Sequence, residues 1–451
     1  FQPDVSPDGR WIAFAHYHAD GYHVARIPFD PSRWRPAPPV RAAVDLPPLD
    51  PAVYTATSGG PSRRYSPWRS LAPATWSPVL NSESSLGVGV GAAVSGEDVV
   101  GRHAYALDAL VYPDGGRVEG DLAYRYTGLG VPVLDVSASQ DWAGVSFDSA
   151  GTLVTDRLLQ RERVAGAALT FPRPRYRSYT WLSVGATVRD YDYAWKDEAS
   201  RSPLKVRDTP PEVGGSLTAG LSTVRGYAFS ISPEDGFLAS ATAEGRRYTR
   251  GFTADEDPTG YFRLSGRTRA YRAIDWGGWA RHALAGRLNG GAEWGPRAPL
   301  FGLGGTSGGP SPFPVAVDLG SGSLTYPLRG YASGTQAGDR VFSASAEYRF
   351  PLRLVERGYR LLPLWLDRVW GDAFADAGSA WCGTAECAAR FRAPLTSPRP
   401  LYSAGAELGV DLDTGYYLGT TLRAGFAVPL RELPGSGRPD PVAYLRFGRS
   451  F

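Results

Sequence analysis

The sequence predicts an all-β chain: a 16-stranded antiparallel transmembrane β-barrel preceded by a partial β-propeller blade. Three observations lead to this prediction. Apolar and polar residues alternate with a period of two along many segments of roughly 9 to 14 residues, the length of a tilted strand that crosses a membrane. The 55 glycines and the 12% aromatic residues are typical of strands and turns. No run of about 18 apolar residues is present, which excludes a helical membrane protein.

The first 30 residues predict two short strands. Residues 7–9, Pro-Asp-Gly, form a turn, and strands are expected at 11–15 and 22–27. The stretch SPDGRWIAF resembles the repeat of TolB-type, WD40-like β-propellers, which implies that residues 1–30 are the last part of such a domain. Because a propeller closes with about 4 to 8 blades, the other blades are expected before Phe1 or are missing. The start without methionine or signal peptide favours a mature or trimmed segment.

Residues 31–79 separate this segment from the rest. They are rich in proline and show no apolar periodicity, which predicts an extended connector. The barrel is expected over residues 80–451. Candidate strands counted from Leu86 number about 15 to 17, and closure with both ends on one side favours an even number, about 16.

The alternation divides each predicted strand into an apolar and a polar face. In VEGDLAYRY, Leu122 and Tyr124 lie on the apolar face and Asp121 on the other. FSASAEYRF, YYLGTTLRAGFAV and FRLSGRTRA show the same division. A soluble β-sandwich also alternates, but the strand length and the alternation of tight turns with long loops favour a barrel that faces lipid. The tight turns, expected together at one end, include 113–116, 233–236 and 413–415.

The charged residues argue against one class of partner. The chain carries 48 Lys and Arg against 45 Asp and Glu, a formal net charge of +3, and these charges are scattered along the sequence. Nucleic-acid binding usually requires a concentrated positive surface. No nucleic-acid partner is therefore expected.

The C-terminal stretch YLRFGRSF resembles the end of outer-membrane barrels. Ala443, Leu445 and Phe447 lie on one face at a period of two, and the chain closes on Phe451. A terminal aromatic residue after an alternating strand is the pattern of the insertion signal in such barrels. Leu445, Phe447 and Phe451 are therefore the candidate insertion signal.

A longer stretch resembles a known family. The segments LFGLGGTSGG, LTYPLRGYASG and DRVFSASAEYRFPL, together with AFADAGSAW further on, are similar to BamA/TamA-type outer-membrane assembly and translocation barrels of the surface-antigen superfamily. The resemblance extends over residues 65–451. It implies that Leu328, Arg329, Gly330 and Tyr331 form the tip of the long sixth extracellular loop, and that residues 374–376 belong to a strand facing the barrel lumen.

The residue pattern predicts the same arrangement. Phe374 and Asp376 share one face of their strand, so Asp376 points into the lumen if the strand belongs to a barrel. An arginine on a loop folded into that lumen can bind a carboxylate through two parallel hydrogen bonds. We expect Arg329 to pair with Asp376 or with another lumen carboxylate such as Glu347, and Tyr331 to pack near Phe374. The loop would then act as a strut; the alternative is a solvated loop arginine.

Cys382 and Cys387 occur in WCGTAEC, a spacing that suits a small loop disulfide in an oxidising compartment. Two free thiols are the alternative. The five histidines are far from both cysteines in sequence, so no metal site is expected. No cofactor is predicted either. If the Arg329 loop is external, strand alternation also places the cysteine loop outside the cell.

The resemblance implies a function: assisting the insertion or translocation of proteins at the bacterial outer membrane, with the propeller and both barrel termini in the periplasm. The expected partners are outer-membrane lipids, client outer-membrane proteins and accessory subunits. The small POTRA repeats usual in these barrels are not visible, and a propeller fragment stands in their place. Two alternatives remain. One is a passive channel whose lumen arginines, Arg263, Arg267, Arg269 and Arg349, set anion preference, and the other is a structural anchor for the propeller or a partner complex.

An enzyme is not expected. GTSGG at 305–309 matches the Gly-x-Ser-x-Gly pattern of hydrolases, which places the nucleophile on a strand-to-helix turn and needs a later acid and histidine. No histidine follows His282, and no helical pattern follows Gly309. The match at Ser307 is what a Gly/Ser-rich loop produces by chance.

Overall fold

The computed structural model describes most of the chain. Its described residues are 3–18, 21–35, 65–68, 70–73, 75–84, 87–113, 116–145, 158–195, 209–296, 298–305, 325–332, 334–358, 360, 362, 364–391, 397–414, 418–432 and 440–448. Ser307 of the hydrolase-like motif, Phe451 and most of the proline-rich connector lie outside them. The chain divides into two compact units, Phe1–Arg69 and Ser70–Phe451.

The first unit contains a small antiparallel sheet of three strands in its described part, in the order β1-β2-β3. These strands are β1 (Asp4–Val5), β2 (Trp11–His18) and β3 (Gly21–Pro28), and a 3-10 helix follows at Pro31–Arg33. The predicted turn leads into β2, with Gly9 in the left-handed region (φ +64°) that glycine adopts without strain. The two predicted strands are present and longer than expected. A propeller blade remains a prediction.

The second unit is built from long strands. They are β4 (Thr75–Ser84), β5 (Gly87–Glu97), β6 (His103–Tyr112), β7 (Arg117–Tyr126), β8 (Val133–Val145), β9 (Leu158–Pro174), β10 (Tyr179–Trp195), β11 (Glu212–Ser222), β12 (Gly236–Tyr248), β13 (Gly260–Ile274), β14 (His282–Trp294), β15 (Phe301–Leu303), β16 (Thr325–Tyr326), β17 (Gln336–Gly338), β18 (Arg340–Gly358), β19 (Leu364–Trp381), β20 (Leu401–Thr414), β21 (Leu418–Pro429) and β22 (Val442–Gly448). One helix, α1 (Ala385–Phe391), lies between β19 and β20. Within the described residues no helix is long and apolar enough to cross a membrane.

Sixteen of these strands form one antiparallel sheet, in the order β4 to β14 followed by β18 to β22. Each strand pairs with its neighbours in sequence, apart from β14, which pairs with β18 across the small sheet β16-β15-β17. The prediction of a mainly β chain with a large antiparallel sheet is confirmed. The first strand begins at Thr75, a few residues before the predicted start of the barrel.

The sheet is not closed in the residues that the structure describes. Strands β4 and β22 each have one neighbour, β5 and β21, and no pairing joins them to each other. The last strand has 7 residues against 12 in β21, so it offers few backbone groups to a further partner. Predicted closure is therefore not observed, and two strand edges remain.

The faces of this sheet are the reverse of those in a soluble protein. Large apolar side chains on one face are exposed, such as Leu122 (40%), Phe262 (46%) and Leu264. Charged and polar side chains on the other face are buried, such as Arg263 (1%) and Asp376. A water-soluble fold buries apolar residues and exposes charges, so the exposed apolar face calls for an apolar surrounding.

The ends of the sheet differ from expectation in one respect. Because neighbouring strands run in opposite directions, the β6–β7 connection lies at the same end as the β14–β18 connection, which we call the loop end. The β11–β12 and β20–β21 connections, where two of the tight turns were expected, lie together at the opposite end, as predicted. The β6–β7 connection was expected with them but lies at the loop end, because the length of a connection does not determine strand direction.

Candidate functional site

The long connection between β14 and β18 folds back on itself before it reaches β18. The tip, Leu328 to Tyr331, follows β16 and is tied to Gly305 by backbone bonds: Leu328 N–H donates to the Gly305 carbonyl (3.1 Å), and Gly305 N–H donates to the Tyr331 carbonyl (2.8 Å). Gly330 takes φ +88°. A Cβ there would lie 3.4 Å from the Ala427 Cβ, an ordinary contact distance, so it is the turn that favours glycine.

An apolar cluster holds the base of this tip against the sheet. It joins side chains of β15, β16 and the tip to side chains of β18, β19 and β20. Its members are Phe301, Leu303, Tyr326, Leu328, Tyr331, Val341, Ala380 and Leu401. Because these side chains are fully or almost fully buried, the cluster stabilises the folded-back position of the loop through removal of apolar surface from water.

Arg329 binds Asp376 of β19 through two parallel hydrogen bonds. Its Nε lies 2.7 Å from Asp376 Oδ2, and its Nη2 lies 2.7 Å from Oδ1. The backbone N–H of Arg329 also donates to Oδ2 at 3.3 Å. Both residues are buried, at 4% and 3% exposure. The predicted partner is thus in contact, in the planar two-pronged geometry that arginine favours.

Three further side chains complete the shell around the guanidinium. Nη1 donates to Glu407 Oε1 (3.1 Å), and Nη2 donates to Glu347 Oε1 (2.9 Å) and to Ser345 Oγ (2.8 Å). The Cζ atom lies 3.5 Å from the centre of the Phe374 ring, which provides a cation–π contact. One loop arginine therefore joins the polar faces of β18, β19 and β20.

The electrostatics keep this arginine charged despite its burial. Burial by itself lowers the pKa of the Arg329 guanidinium, whereas the hydrogen bonds with Asp376 and the negative charges of Asp376, Glu347 and Glu407 raise the pKa above its usual value. Burying a charge without partners is costly. The surrounding carboxylates thus make the docked position favourable for an arginine and unfavourable for a neutral side chain.

Tyr331 packs in the apolar cluster with Leu401, and Arg329 lies over the face of the Phe374 ring. The expected packing of Tyr331 near Phe374 stays a prediction. The Tyr331 hydroxyl is 2.9 Å from the Tyr402 carbonyl and 3.1 Å from that of Arg431, and it accepts the Arg431 N–H. Since Arg431 follows β21, Tyr331 ties the loop to the start of the β21–β22 connection.

Sequence reasoning missed the glutamate of this site and the residues that reach it. Glu407 accepts hydrogen bonds from Arg329 and, at 2.6 Å, from the Tyr444 hydroxyl of β22. Gly405, two residues earlier on the same face, leaves room for Phe374: a Cβ there would lie 2.6 Å from the Phe374 ring. The alternation of residues along β20 places Glu407 on the polar face, and this sequence signal could have identified it as a candidate partner.

Two of the four arginines predicted to line an anion channel are paired with glutamates, whereas Arg267 and Arg269 are exposed. Arg263 lies between Glu293, which it contacts through Nε, and Glu244, 3.4 Å from its Nη1. Arg349 binds Glu347 at 3.0 Å through Nε.

The Arg263 pair continues into a wider network at the loop end. Arg246 is 3.2 Å from the shared Glu244, and Arg189 pairs with Glu162 (2.7 Å) and Glu212 (3.5 Å). We call this row of alternating charges on β9 to β14 the charged belt.

Cys382 and Cys387 form a disulfide with Cα atoms 5.4 Å apart. The bond encloses the start of α1. Asp339, just before β18, accepts the Gly383 N–H (2.6 Å) and the Thr384 hydroxyl. The cysteine loop is therefore attached to the connection that carries Arg329.

The candidate insertion signal is described only in part. Leu445 is 65% exposed on β22, and Phe447 pairs in register with Leu422 of β21. In the part of the chain that the structure describes, no group of three or more His, Cys, Asp or Glu side chains is placed to hold a metal ion.

Comparison with known proteins gives matches among solved structures; no protein family and no curated protein matches the chain. BamA from Haemophilus ducreyi lacking POTRA domains 1-3 matches 84% of this chain and 76% of its own, at 14% identity and a TM-score of 0.47. CdiB from Escherichia coli matches 83% of this chain and 62% of its own, at 13% identity and 0.49. CdiB from Acinetobacter baumannii matches 83% and 58%, at 12% identity and 0.47. The chain thus spans about three fifths of each CdiB chain.

Proposed function

We propose that this chain is an outer-membrane β-barrel protein that assists the insertion or translocation of other proteins. The observation that carries the proposal is the docking of Arg329 among Asp376, Glu407 and Glu347 on the polar face of β18 to β20. The loop tip and the Asp376 strand are also the segments that resemble BamA/TamA-type barrels. A loop held in this way acts as a strut beside the last strands of the sheet.

The distribution of side chains supports a membrane location. The exposed apolar face meets lipid, and the buried polar face lines the lumen when the 16 strands curve into a barrel. In that barrel β4 and β22 form the seam. The loop end is then extracellular, and the opposite end, the N-terminal unit and both barrel termini are periplasmic. A propeller in that compartment would bind soluble partners.

The sheet edges support a role in assembly. A strand edge carries unpaired N–H and C=O groups, and an extended client segment can add to it as a further strand. Strand β22 is short, so a seam between it and β4 contains few hydrogen bonds. A weak seam suits a protein that admits clients, whereas a stable pore needs a closed wall.

The docked loop, together with the pairing of two of the four candidate lumen arginines, favours this role over a passive channel. The loop tip occupies space beside the polar face, and Arg263 and Arg349 are bound by glutamates. Free arginines around an open lumen are what an anion-selective pore requires.

Reconstitution tests the proposal. The full chain is placed in vesicles of outer-membrane phospholipids, and an urea-unfolded eight-stranded outer-membrane protein is added; its folding is followed by heat-modifiable gel mobility. We expect faster folding than in empty vesicles, and loss of the acceleration in Arg329→Ala. Equal folding with and without the protein, together with stable single-channel conductance in planar bilayers, would establish the channel instead.

A further inference from the structure

A row of cross-strand neighbours connects the docked loop to the edge of the sheet. Glu407 of β20 is in register with Gly425 of β21, and Gly425 is in register with Tyr444 of β22. The Tyr444 side chain crosses β21 at this glycine: a Cβ on Gly425 would lie 2.4 Å from ring carbons of Tyr444. Glycine therefore opens the path by which a residue on the edge strand reaches two strands inward.

Tyr444 and Arg329 meet at a single atom. The Tyr444 hydroxyl donates to Glu407 Oε1 at 2.6 Å, and Arg329 Nη1 donates to the same oxygen at 3.1 Å. The other oxygen, Oε2, has no hydrogen-bond partner among the described residues and lies 3.8 Å from Nη1 of Arg423. Arg329 and Tyr444 thus bind the same oxygen of Glu407, and Arg423 lies nearest to the other.

We propose that Tyr444 is a positioning residue that couples docking of the Arg329 loop to the pairing of β22 with the rest of the sheet. With the loop docked, Arg329 fixes Glu407 Oε1 toward β22, and Tyr444 adds a charge-assisted bond to the few backbone bonds of this 7-residue strand. When the loop leaves, Arg423 becomes the nearest cation to Glu407 and draws the carboxylate away from Tyr444.

This coupling rests on the proposed function for its biological meaning: a client or partner that displaces the loop would also loosen the edge strand at the seam.

The sign of the coupling needs an argument, because Tyr444 and Arg329 donate to the same oxygen and two such donors also compete. We expect the coupling to be positive, so that a docked loop strengthens the Tyr444 bond. The reason is that Glu407 is buried, and an oriented carboxylate accepts a better-aligned hydrogen bond than one that can rotate. By linkage, removal of Tyr444 should loosen the loop by the same factor by which removal of Arg329 loosens β22.

Hydrogen exchange of the β22 amides, measured on the purified full chain in lipid nanodiscs, tests the coupling without any client. We expect Tyr444→Phe to speed exchange in β22 about tenfold, the factor that loss of a hydrogen bond to a charged group corresponds to. Arg329→Ala should give a similar increase, and the double variant no more than either alone. Tyr348→Phe, which loses a 2.7 Å bond to His282 on the other face, is the control and should leave β22 unchanged.

Two variants keep the test decisive if Arg329→Ala does not fold. Gly425→Ala displaces the Tyr444 ring without removing a polar atom and should match Tyr444→Phe. Arg329→Lys keeps the charge but loses the planar guanidinium with its several N–H donors, and it should speed β22 exchange less than Arg329→Ala does. Additive effects, unchanged exchange in β22 when the loop arginine is altered, or slower exchange there would overturn the coupling. Client folding in vesicles is measured in a separate experiment. The coupling can therefore be refuted while the proposed function stands, and the proposed function can be refuted while the coupling stands.

Discussion

Replacement of Arg329 by alanine is the most direct perturbation of the strut. It removes five side-chain hydrogen bonds, to Asp376, Glu407, Glu347 and Ser345. It also leaves two almost fully buried carboxylates, those of Asp376 and Glu407, without their main cation. Glu347 retains Arg349.

The magnitude follows from burial. Removal of one partner from a buried ion pair typically costs about 3 to 5 kcal/mol, whereas an exposed pair is worth about 0 to 1 kcal/mol. Undocking of the loop admits water to the stranded carboxylates, which limits the loss to the lower end of that range. A cost of about 3 kcal/mol lowers the ratio of docked to undocked loop by roughly a hundredfold.

Hydrogen exchange at the loop tip measures this ratio. In the docked loop the amide of Leu328 is bonded to the Gly305 carbonyl, and that of Gly305 to the Tyr331 carbonyl. We expect both amides to exchange roughly a hundredfold faster in Arg329→Ala. Arg272→Ala is the matched control, since Arg272 is 83% exposed and its nearest carboxylate is 3.9 Å away.

A double-mutant cycle can refute the reasoning. Asp376→Asn should reproduce much of the loss, and its combination with Arg329→Ala should add little, because both changes remove one interaction. Additive effects would show that the two side chains act independently. Unchanged exchange in Arg329→Ala would show that the apolar cluster alone holds the loop.

Further predictions concern the same loop and its surroundings. Gly330→Ala should loosen the loop more than Gly334→Ala in the same exchange measurement: both glycines have positive φ, but only Gly330 lies in the docked tip, where undocking relieves the backbone strain of an added Cβ. Arg349→Ala should lower the yield of folded protein less than Arg329→Ala does, because Glu347, which Arg349 binds, keeps its bond to Arg329. Replacing Cys382 and Cys387 by serine should lower the free energy of unfolding by about 2 kcal/mol in urea titration, given the short loop that the bond closes. Thiol labelling of intact cells without prior reduction should give no signal from this pair.

The faces of the strands were predictable from sequence. Alternation is a local property, because successive side chains of a strand point to opposite faces. It placed Phe262 and Leu264 on the outer face and Arg263 on the inner one, and the structure has them exposed and buried accordingly. The same rule placed Phe374 and Asp376 together on the polar face.

The partners across strands were less predictable. Alternation gives the face of Glu407 but not its height along the sheet, which depends on the register of β19, β20 and β21. Arg329 and Glu407 are 78 residues apart, and no local pattern links them. Closure of the sheet likewise depends on how its end strands meet, and period-two patterns are the same in an open and a closed sheet.

The charged belt has a consequence for how neighbouring strands of the sheet find their register. A strand that slides by two residues along its neighbour keeps its apolar side chains on the same face of the sheet, so the apolar pattern does not distinguish the shifted register. Such a slip of β14 along β13 would carry Glu293 away from Arg263 and leave the buried glutamate without its cation, while Arg263 keeps Glu244. Alternating charges on successive strands thus help to specify the register: they penalise a misalignment that leaves the apolar face unchanged.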